Sequence, residues 1–101
     1  STQVLPQSAL LPAGNAALSA WQSLWASGYS TFKWKIGVDS ITEELAILDH
    51  LTQVLPVGIK LRLDANGGLS YDEANLWLYT CDNIMAMRAA VEIEFIEQPL
   101  A

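Results

Sequence analysis

Strand and helix patterns alternate along the whole chain, and this alternation is the feature that most constrains the fold. Turn residues separate strands predicted at 4–11, 31–36, 59–63 and 93–96, with a helix-length segment in each gap. The spacing of about 30 residues is the size of one βαβ unit. Because strands joined by helices pair in parallel with right-handed crossovers, the chain should form a parallel α/β sheet.

Capping patterns mark the predicted helix starts. Asn15 follows a Pro-Ala-Gly turn and is predicted to be the N-cap of the first helix. Ser40 and Glu43 stand three residues apart before an apolar stripe, and Ser70 and Glu73 repeat that spacing. Both pairs predict capping boxes, in which each residue's side chain bonds the other's backbone N–H.

The length and the composition together argue against a complete, free-standing domain. A chain of 101 residues is too short for an eight-fold α/β barrel, which needs roughly 250. Charged residues make up 16% and hydrophobic residues 51% of the chain, whereas a small domain usually carries about 25% charged residues. We therefore expect the chain to cover its apolar surface with a partner or to belong to a larger protein.

Charge and cysteine content exclude several classes of function. The chain has 11 acidic and 5 basic residues, a net charge of −6, and no basic stripe for nucleic acid or an anionic membrane. No segment resembles a membrane span or a secretory signal. Cys81 is the single cysteine, so no internal disulfide forms. A reducing, cytoplasmic location is the expectation.

Polar side chains end three successive predicted strands. Lys33 and Lys35 are two residues apart, so both point to one face of their strand. Asp64 ends the next strand and Glu97 ends the one after it. Ligands bind at the carboxyl ends of strands in parallel α/β folds, where the two carboxylates could share Mg²⁺. The positive charges of that cation and of Lys33 would favour the neutral amine form of Lys35. Lys35 could then act as a general base.

Each of these residues also has a simpler structural explanation. A K-x-K pair suits a solvent-facing edge strand, D-A-N-G-G forms a turn by itself, and Glu97 could be a solvated strand end. The functional interpretation is preferred because all three occur at the same end of the sheet. Lys60 and Arg62 share the face of Asp64, where each needs a carboxylate partner. Glu94 differs in parity from Glu97 and is not predicted to be a ligand.

The remaining conspicuous side chains are predicted to pack rather than react. His50 lies away from the strand ends and is expected on the surface. Residues predicted to fill the core are Trp21, Trp25, Trp34, Trp77 and Cys81.

Three motifs carry a resemblance to a known family. FKWKIG, LRLDANGG and FIEQPL resemble successive strand motifs of the enolase superfamily, in its muconate-cycloisomerase-like branch. LPAG, TFKWKIGV and LRLDANGGL are most similar to the o-succinylbenzoate synthases of the cyanobacterial type. The resemblance covers essentially the whole chain. Muconate cycloisomerases, dipeptide epimerases and N-acylamino-acid racemases share these motifs.

The resemblance implies a partial (β/α) barrel of TIM type, with about four parallel strands and three intervening helices. Residues 1–101 would form the N-terminal half of the barrel domain, with the capping domain and the remaining strands absent. Lys35 would be the general acid/base, and Lys33 would tune its basicity. Asp64 and Glu97 would be two of three ligands to Mg²⁺, with Mn²⁺ as the alternative ion. Asn66 would be a supporting polar residue.

The implied reaction is the dehydration of 2-succinyl-6-hydroxy-2,4-cyclohexadiene-1-carboxylate to o-succinylbenzoate, a step toward menaquinone or phylloquinone. Lys35 would remove the proton α to the carboxylate, and Mg²⁺ would stabilise the enediolate. Because the third metal ligand and a second lysine come from later strands of the family, we expect this chain alone to be inactive. We also expect self-association through the open half-barrel. The alternatives are another reaction of the superfamily, or a non-catalytic cation-binding α/β module.

Overall fold

Four parallel strands and three connecting helices make up the computed structural model, which describes residues 8–88 and 91–96. The elements in chain order are β1 (Ala9–Leu11), α1 (Ala17–Ala26), β2 (Thr31–Lys35), α2 (Ile41–Val54), β3 (Ile59–Asp64), α3 (Tyr71–Met87) and β4 (Val91–Phe95). The sheet order is β1-β2-β3-β4, with every neighbouring pair parallel. The predicted alternation is confirmed, although the part of the first predicted strand at 4–7 lies outside the described residues.

The two faces of the sheet differ sharply in polarity. Alternate residues of β2 and β3, such as Phe32, Trp34 and Leu61, are fully buried in one cluster with residues of all three helices. The residues between them, such as Lys33 and Arg62, remain partly exposed. In a doubly wound fold helices cover both faces, whereas a barrel keeps its helices outside. The one-sided core therefore fits a segment of a barrel.

Tryptophans anchor the helices on that buried face. The rings of Trp34 on β2 and Trp77 on α3 meet edge to face, with centroids 6.1 Å apart. Trp21 is also buried, and its indole N–H donates to the Leu18 carbonyl at 3.0 Å. The prediction for Trp25 is wrong, because its side chain is 49% exposed. It lies in the last turn of α1 and packs against the ring of Trp21.

The helix starts only partly follow the predicted caps. At α3 the capping box is complete: Ser70 Oγ accepts from the Glu73 N–H at 3.2 Å, and Glu73 Oε1 accepts from the Ser70 N–H at 2.9 Å. At α2 only half of the box forms, with Ser40 Oγ accepting from the Glu43 N–H at 3.3 Å.

The prediction of Asn15 as an N-cap is wrong. Residues Gly14–Ala16 form a short 3₁₀ turn that runs directly into α1. Ala16 then stands at the N-cap position and makes no side-chain capping bond. The first turn of α1 is therefore continuous with the preceding turn, and a side-chain cap has no place there. No helix in the described ranges has the length and apolar character needed to cross a bilayer.

Candidate active site at the carboxyl ends of the strands

The ends of β2 and β3 bring three of the predicted site residues together. In the register of the sheet, Lys35 is opposite Asp64 and Lys33 is opposite Arg62. Lys33 Nζ lies 3.8 Å from Asp64 Oδ2. A cavity of about 320 Å³ opens at this edge. The residues that line it are Leu10, Leu11, Ala13, Lys33, Lys35 and Asp64.

The carboxylate of Asp64 is held by the turn that follows it. Its Oδ1 accepts a hydrogen bond from the backbone N–H of Asn66 at 3.0 Å. Asn66 itself has a positive φ of 46° and an exposed side chain. Asn66 thus contributes its backbone N–H, which orients the carboxylate. The side chain of Asp64 is only 19% exposed.

The two lysines differ in their surroundings. Lys33 is half-buried and directed at Asp64, whereas Lys35, at the end of β2, is exposed. Within the described ranges no acidic side chain forms an ion pair with Lys35. Its amine is therefore available to a ligand in the cavity.

On the same face of the sheet, before Asp64 on β3, Lys60 and Arg62 form ion pairs with residues of β4. Arg62 Nε lies 2.6 Å from Glu94 Oε1, and Lys60 Nζ lies 3.4 Å from Glu92 Oε2 and 3.9 Å from Glu94 Oε2. The prediction that Lys60 and Arg62 need carboxylate partners on this face is confirmed. These pairs use Glu94 and Glu92, so Asp64 remains the acidic group beside the cavity.

The predicted ligand Glu97 lies outside the described residues. The described part of the chain approaches the site as far as Ile96, whose N–H donates to the Leu63 carbonyl at 3.0 Å. This bond keeps the chain beside the carboxyl end of β3 where β4 ends.

One buried acidic residue was not predicted from the sequence. Glu44, in the first turn of α2, is 1% exposed and accepts three backbone N–H bonds from Gly37, Val38 and Asp39. The available signal was its spacing, because Glu44 precedes Leu48 and Leu51 by four and seven residues. It therefore shares the buried face of the helix with them.

The chemistry of the donors fits a hard divalent cation in part. Mg²⁺ binds through one or two carboxylates and keeps several waters. Asp64 supplies one oriented carboxylate at the cavity. Among the described residues no three His, Cys, Asp or Glu side chains are grouped to hold a metal.

A second, larger cavity lies beside α1 and α2. It has a volume of about 560 Å³ and is lined by residues of α1, of α2 and of the segments that precede them, among them Asp39, Glu43 and His50. None of the predicted site residues lines it. His50 is exposed there, as predicted.

Comparisons with known proteins converge on one family. The family described as enolase C-terminal domain-like matches residues 16–101. The chain is 50% identical over 95 residues to o-succinylbenzoate synthase of Thermosynechococcus vestitus, which covers 94% of the chain and 28% of that enzyme. It is 33% identical over 73 residues to L-Ala-D/L-Glu epimerase of Bacillus subtilis, covering 72% of the chain and 19% of that enzyme.

Solved structures show the same fold. A crystal structure of o-succinylbenzoate synthase from Thermosynechococcus elongatus, with Mg in the active site, matches with a TM-score of 0.84 and 46% identity. The match covers 100% of this chain and 30% of that one. The substrate-liganded epimerase of B. subtilis matches with a TM-score of 0.69 and 23% identity, over 93% of this chain and 25% of that one. The chain thus spans less than a third of the length of each of these proteins.

Proposed function

The chain belongs to the enolase C-terminal domain-like family, and we propose that it is part of a Mg²⁺-dependent o-succinylbenzoate synthase. In this proposal residues 1–101 are the N-terminal half of the barrel domain. One observation carries it: Lys33, Lys35 and Asp64 line a single cavity at the carboxyl ends of β2 and β3. The sequence identity with the Thermosynechococcus enzyme supports the choice of reaction.

Lys35 is the proposed acid/base of the dehydration. Its exposed amine would remove the proton from the carbon α to the ring carboxylate of 2-succinyl-6-hydroxy-2,4-cyclohexadiene-1-carboxylate. The resulting ammonium would return that proton to the departing hydroxyl. The products are o-succinylbenzoate and one water, so atoms and charge balance. Lys33 would keep a positive charge beside Lys35, toward the anionic substrate.

Asp64 is proposed to be a metal ligand. Glu97, which lies outside the described residues, is proposed to be a second ligand to the same ion. The N–H of Asn66 would keep the Asp64 carboxylate oriented, as it does through the 3.0 Å bond to Oδ1. When bound, Mg²⁺ or Mn²⁺ would stabilise the negative charge that develops on the substrate carboxylate.

In this proposal, residues 1–101 are not sufficient for turnover, which also requires later strands of the barrel. The family's third metal ligand and second lysine come from later strands, and the chain spans 28% of the Thermosynechococcus enzyme. We therefore expect residues 1–101 alone to show no dehydration.

The acid/base role is tested with Lys35→Ala in the protein that carries this segment. We expect turnover, followed by the ultraviolet absorbance of the aromatic product, to fall by about 10²- to 10⁴-fold, the usual contribution of a general acid/base. Lys60→Ala is the matched control, because Lys60 lies on the same face but pairs with Glu92 and Glu94. Its turnover should persist, and unchanged turnover in Lys35→Ala would contradict the proposal.

A second candidate is epimerisation of a dipeptide, favoured by the identity with the B. subtilis epimerase. The same lysine would then remove an α-proton from an amino-acid residue without loss of water. Incubation with L-Ala-L-Glu in D₂O separates the two reactions. Deuterium incorporation at the Glu α-carbon, with no dehydration of the cyclohexadiene substrate, would favour the epimerase.

A further inference from the structure

The hydrogen bonds that the Glu44 carboxylate accepts all come from the loop that follows β2. Its Oε1 accepts from the Gly37 N–H at 2.7 Å, and its Oε2 accepts from the Val38 and Asp39 N–H groups at 3.1 Å each. A buried charge is tolerated when its oxygens are met by donors, and bonds to a carboxylate are stronger than neutral ones. The loop is therefore fixed by a charged group rather than by neutral backbone pairing.

That arrangement differs from ordinary helix capping. A cap bonds the N–H groups of its own helix's first turn, and Ser40 already does this for α2. The three donors to Glu44 precede it by five to seven residues and belong to the loop. Glu44 thus serves the connection between β2 and α2.

The fixed loop is also in contact with the loop that follows Asp64. A Cβ placed on Gly37 would lie 3.3 Å from the carbonyl carbon and oxygen of Gly68, and Gly37 has a φ of +78°. Just before this contact, the Ile36 N–H donates to the Asp64 carbonyl at 3.0 Å. The backbones after β2 and β3 therefore lock against each other at the edge of the cavity.

We propose that Glu44 is a positioning residue, which sets the placement of Lys35 relative to the Asp64 carboxylate. By holding Gly37–Asp39 against Gly68, it fixes the end of β2 from which the Lys35 side chain departs. The inference rests on the proposed function, because it requires Lys35 and Asp64 to act in one reaction.

Glu44→Gln tests this role, with Glu43→Gln as the matched control. Glutamine keeps the size but presents an NH₂ donor to N–H groups that need an acceptor. We expect amide exchange at Gly37, Val38 and Asp39 to rise at least about tenfold. In the protein that carries this segment, we expect kcat to fall about 10- to 100-fold with little change in KM, as misplacement predicts. Glu43 is exposed, and its variant should change neither quantity.

A second pair of variants tests the loop contact without touching the charge. Gly37→Ala places a methyl group against Gly68, whereas Gly58→Ala has the same positive-φ strain, at +89°, with no atom within 4 Å of the new Cβ. We expect Gly37→Ala to lower kcat and Gly58→Ala to leave it unchanged. If Glu44→Gln does not fold, unchanged kcat in Gly37→Ala overturns the inference, because the inference requires the contact between Gly37 and Gly68 to place Lys35.

The outcomes separate this inference from the proposed function. Equal kcat in Glu44→Gln and Glu43→Gln at a temperature where both are folded overturns it, and so do loop amides that stay protected in Glu44→Gln. Full turnover in Lys35→Ala overturns the proposed function itself. The amide exchange would then still show Glu44 holding the loop, but its positioning role would be rejected.

Discussion

The two carboxylate oxygens of Asp64 have different partners, one in the following turn and one in the cavity. Oδ1 accepts the Asn66 N–H, and Oδ2 faces Lys33 at 3.8 Å. At 3.8 Å the Lys33–Asp64 contact is too long for a hydrogen bond, so it contributes little to stability. We infer that Asp64 is kept oriented by its turn, and that Lys33 supplies positive charge to the cavity more than it stabilises the fold.

Cys81 offers a pH test of the core at the residue scale. Burial, reinforced by the nearby Asp82 carboxylate, raises the pKa of the thiol from 9.0 to about 12. The unfolded chain therefore loses this proton at a lower pH than the folded chain, so we expect the contribution of this thiol to the free energy of unfolding to fall as the pH rises above 9. The slope from one such group is about 1.4 kcal/mol per pH unit.

The measurement compares urea unfolding of the wild-type chain and Cys81→Ala between pH 8 and about pH 10.5. The difference between the two free energies of unfolding should shrink as the pH rises, because the variant lacks the thiol. Parallel pH curves for the two proteins would show that Cys81 ionises as readily in the folded chain as in the unfolded chain.

Side chains were predictable from the sequence where alternation or a strand end fixed their direction. Trp34 and Lys33 alternate on β2 and face opposite sides, as predicted. The burial of Glu44 was not predicted, because it depends on three N–H donors from a loop that only the folded chain presents. Trp25 was misplaced because helical spacing gives the direction of a side chain but not whether the sheet extends beneath it.

At the scale of elements, the order of strands and helices followed from the sequence better than the helix ends did. Periodicity is repeated over many residues, so a single exception does not hide it. A cap depends on one residue, and the 3₁₀ turn before α1 removed the need for Asn15. The strong cap is the one at α3, where both halves of the box form.

Ser70→Ala tests the importance of that cap. The change removes the acceptor of the Glu73 N–H, which is bonded at 3.2 Å. We expect a loss of about 1 kcal/mol in the free energy of unfolding, measured with urea. Ser19→Ala, an exposed serine within α1, is the control and should change stability by less than about 0.5 kcal/mol. Equal effects of the two substitutions would contradict the capping role.

At the scale of the whole molecule, the family resemblance drawn from three strand motifs is confirmed by the family match and by the shared fold. The motifs were informative because each ends a strand, and parallel pairing gathers strand ends at one edge. The predicted role of Glu97 as a metal ligand stays a prediction, because Glu97 lies outside the described residues.

The outer strands predict self-association. In the described sheet β1 and β4 each pair with one neighbour, and Leu10 on β1 is 72% exposed. Open strand edges with apolar side chains favour pairing between chains. We expect light scattering to give a mass above 11.0 kDa that rises with concentration. A mass that stays at the monomer value would contradict this.

Leu10→Lys provides the controlled version of that experiment. A charge on the edge strand should lower the association, since charged edge residues oppose pairing. Val57→Lys adds the same charge in the loop between α2 and β3, where the side chain is 84% exposed. It should leave the association unchanged.

The proposed function depends on a divalent-cation site at the carboxyl ends of β2 and β3, beside Lys35. Paramagnetic broadening of the amide signals by Mn²⁺ in the full 101-residue chain tests it most directly. We expect the broadening to be strongest at Lys35, Asp64 and Asn66, to be displaced by Mg²⁺, and to be lost in Asp64→Asn but not in Asp39→Asn. Broadening centred on Asp39 and Glu43, in the cavity between α1 and α2, or broadening that survives Asp64→Asn, would contradict it.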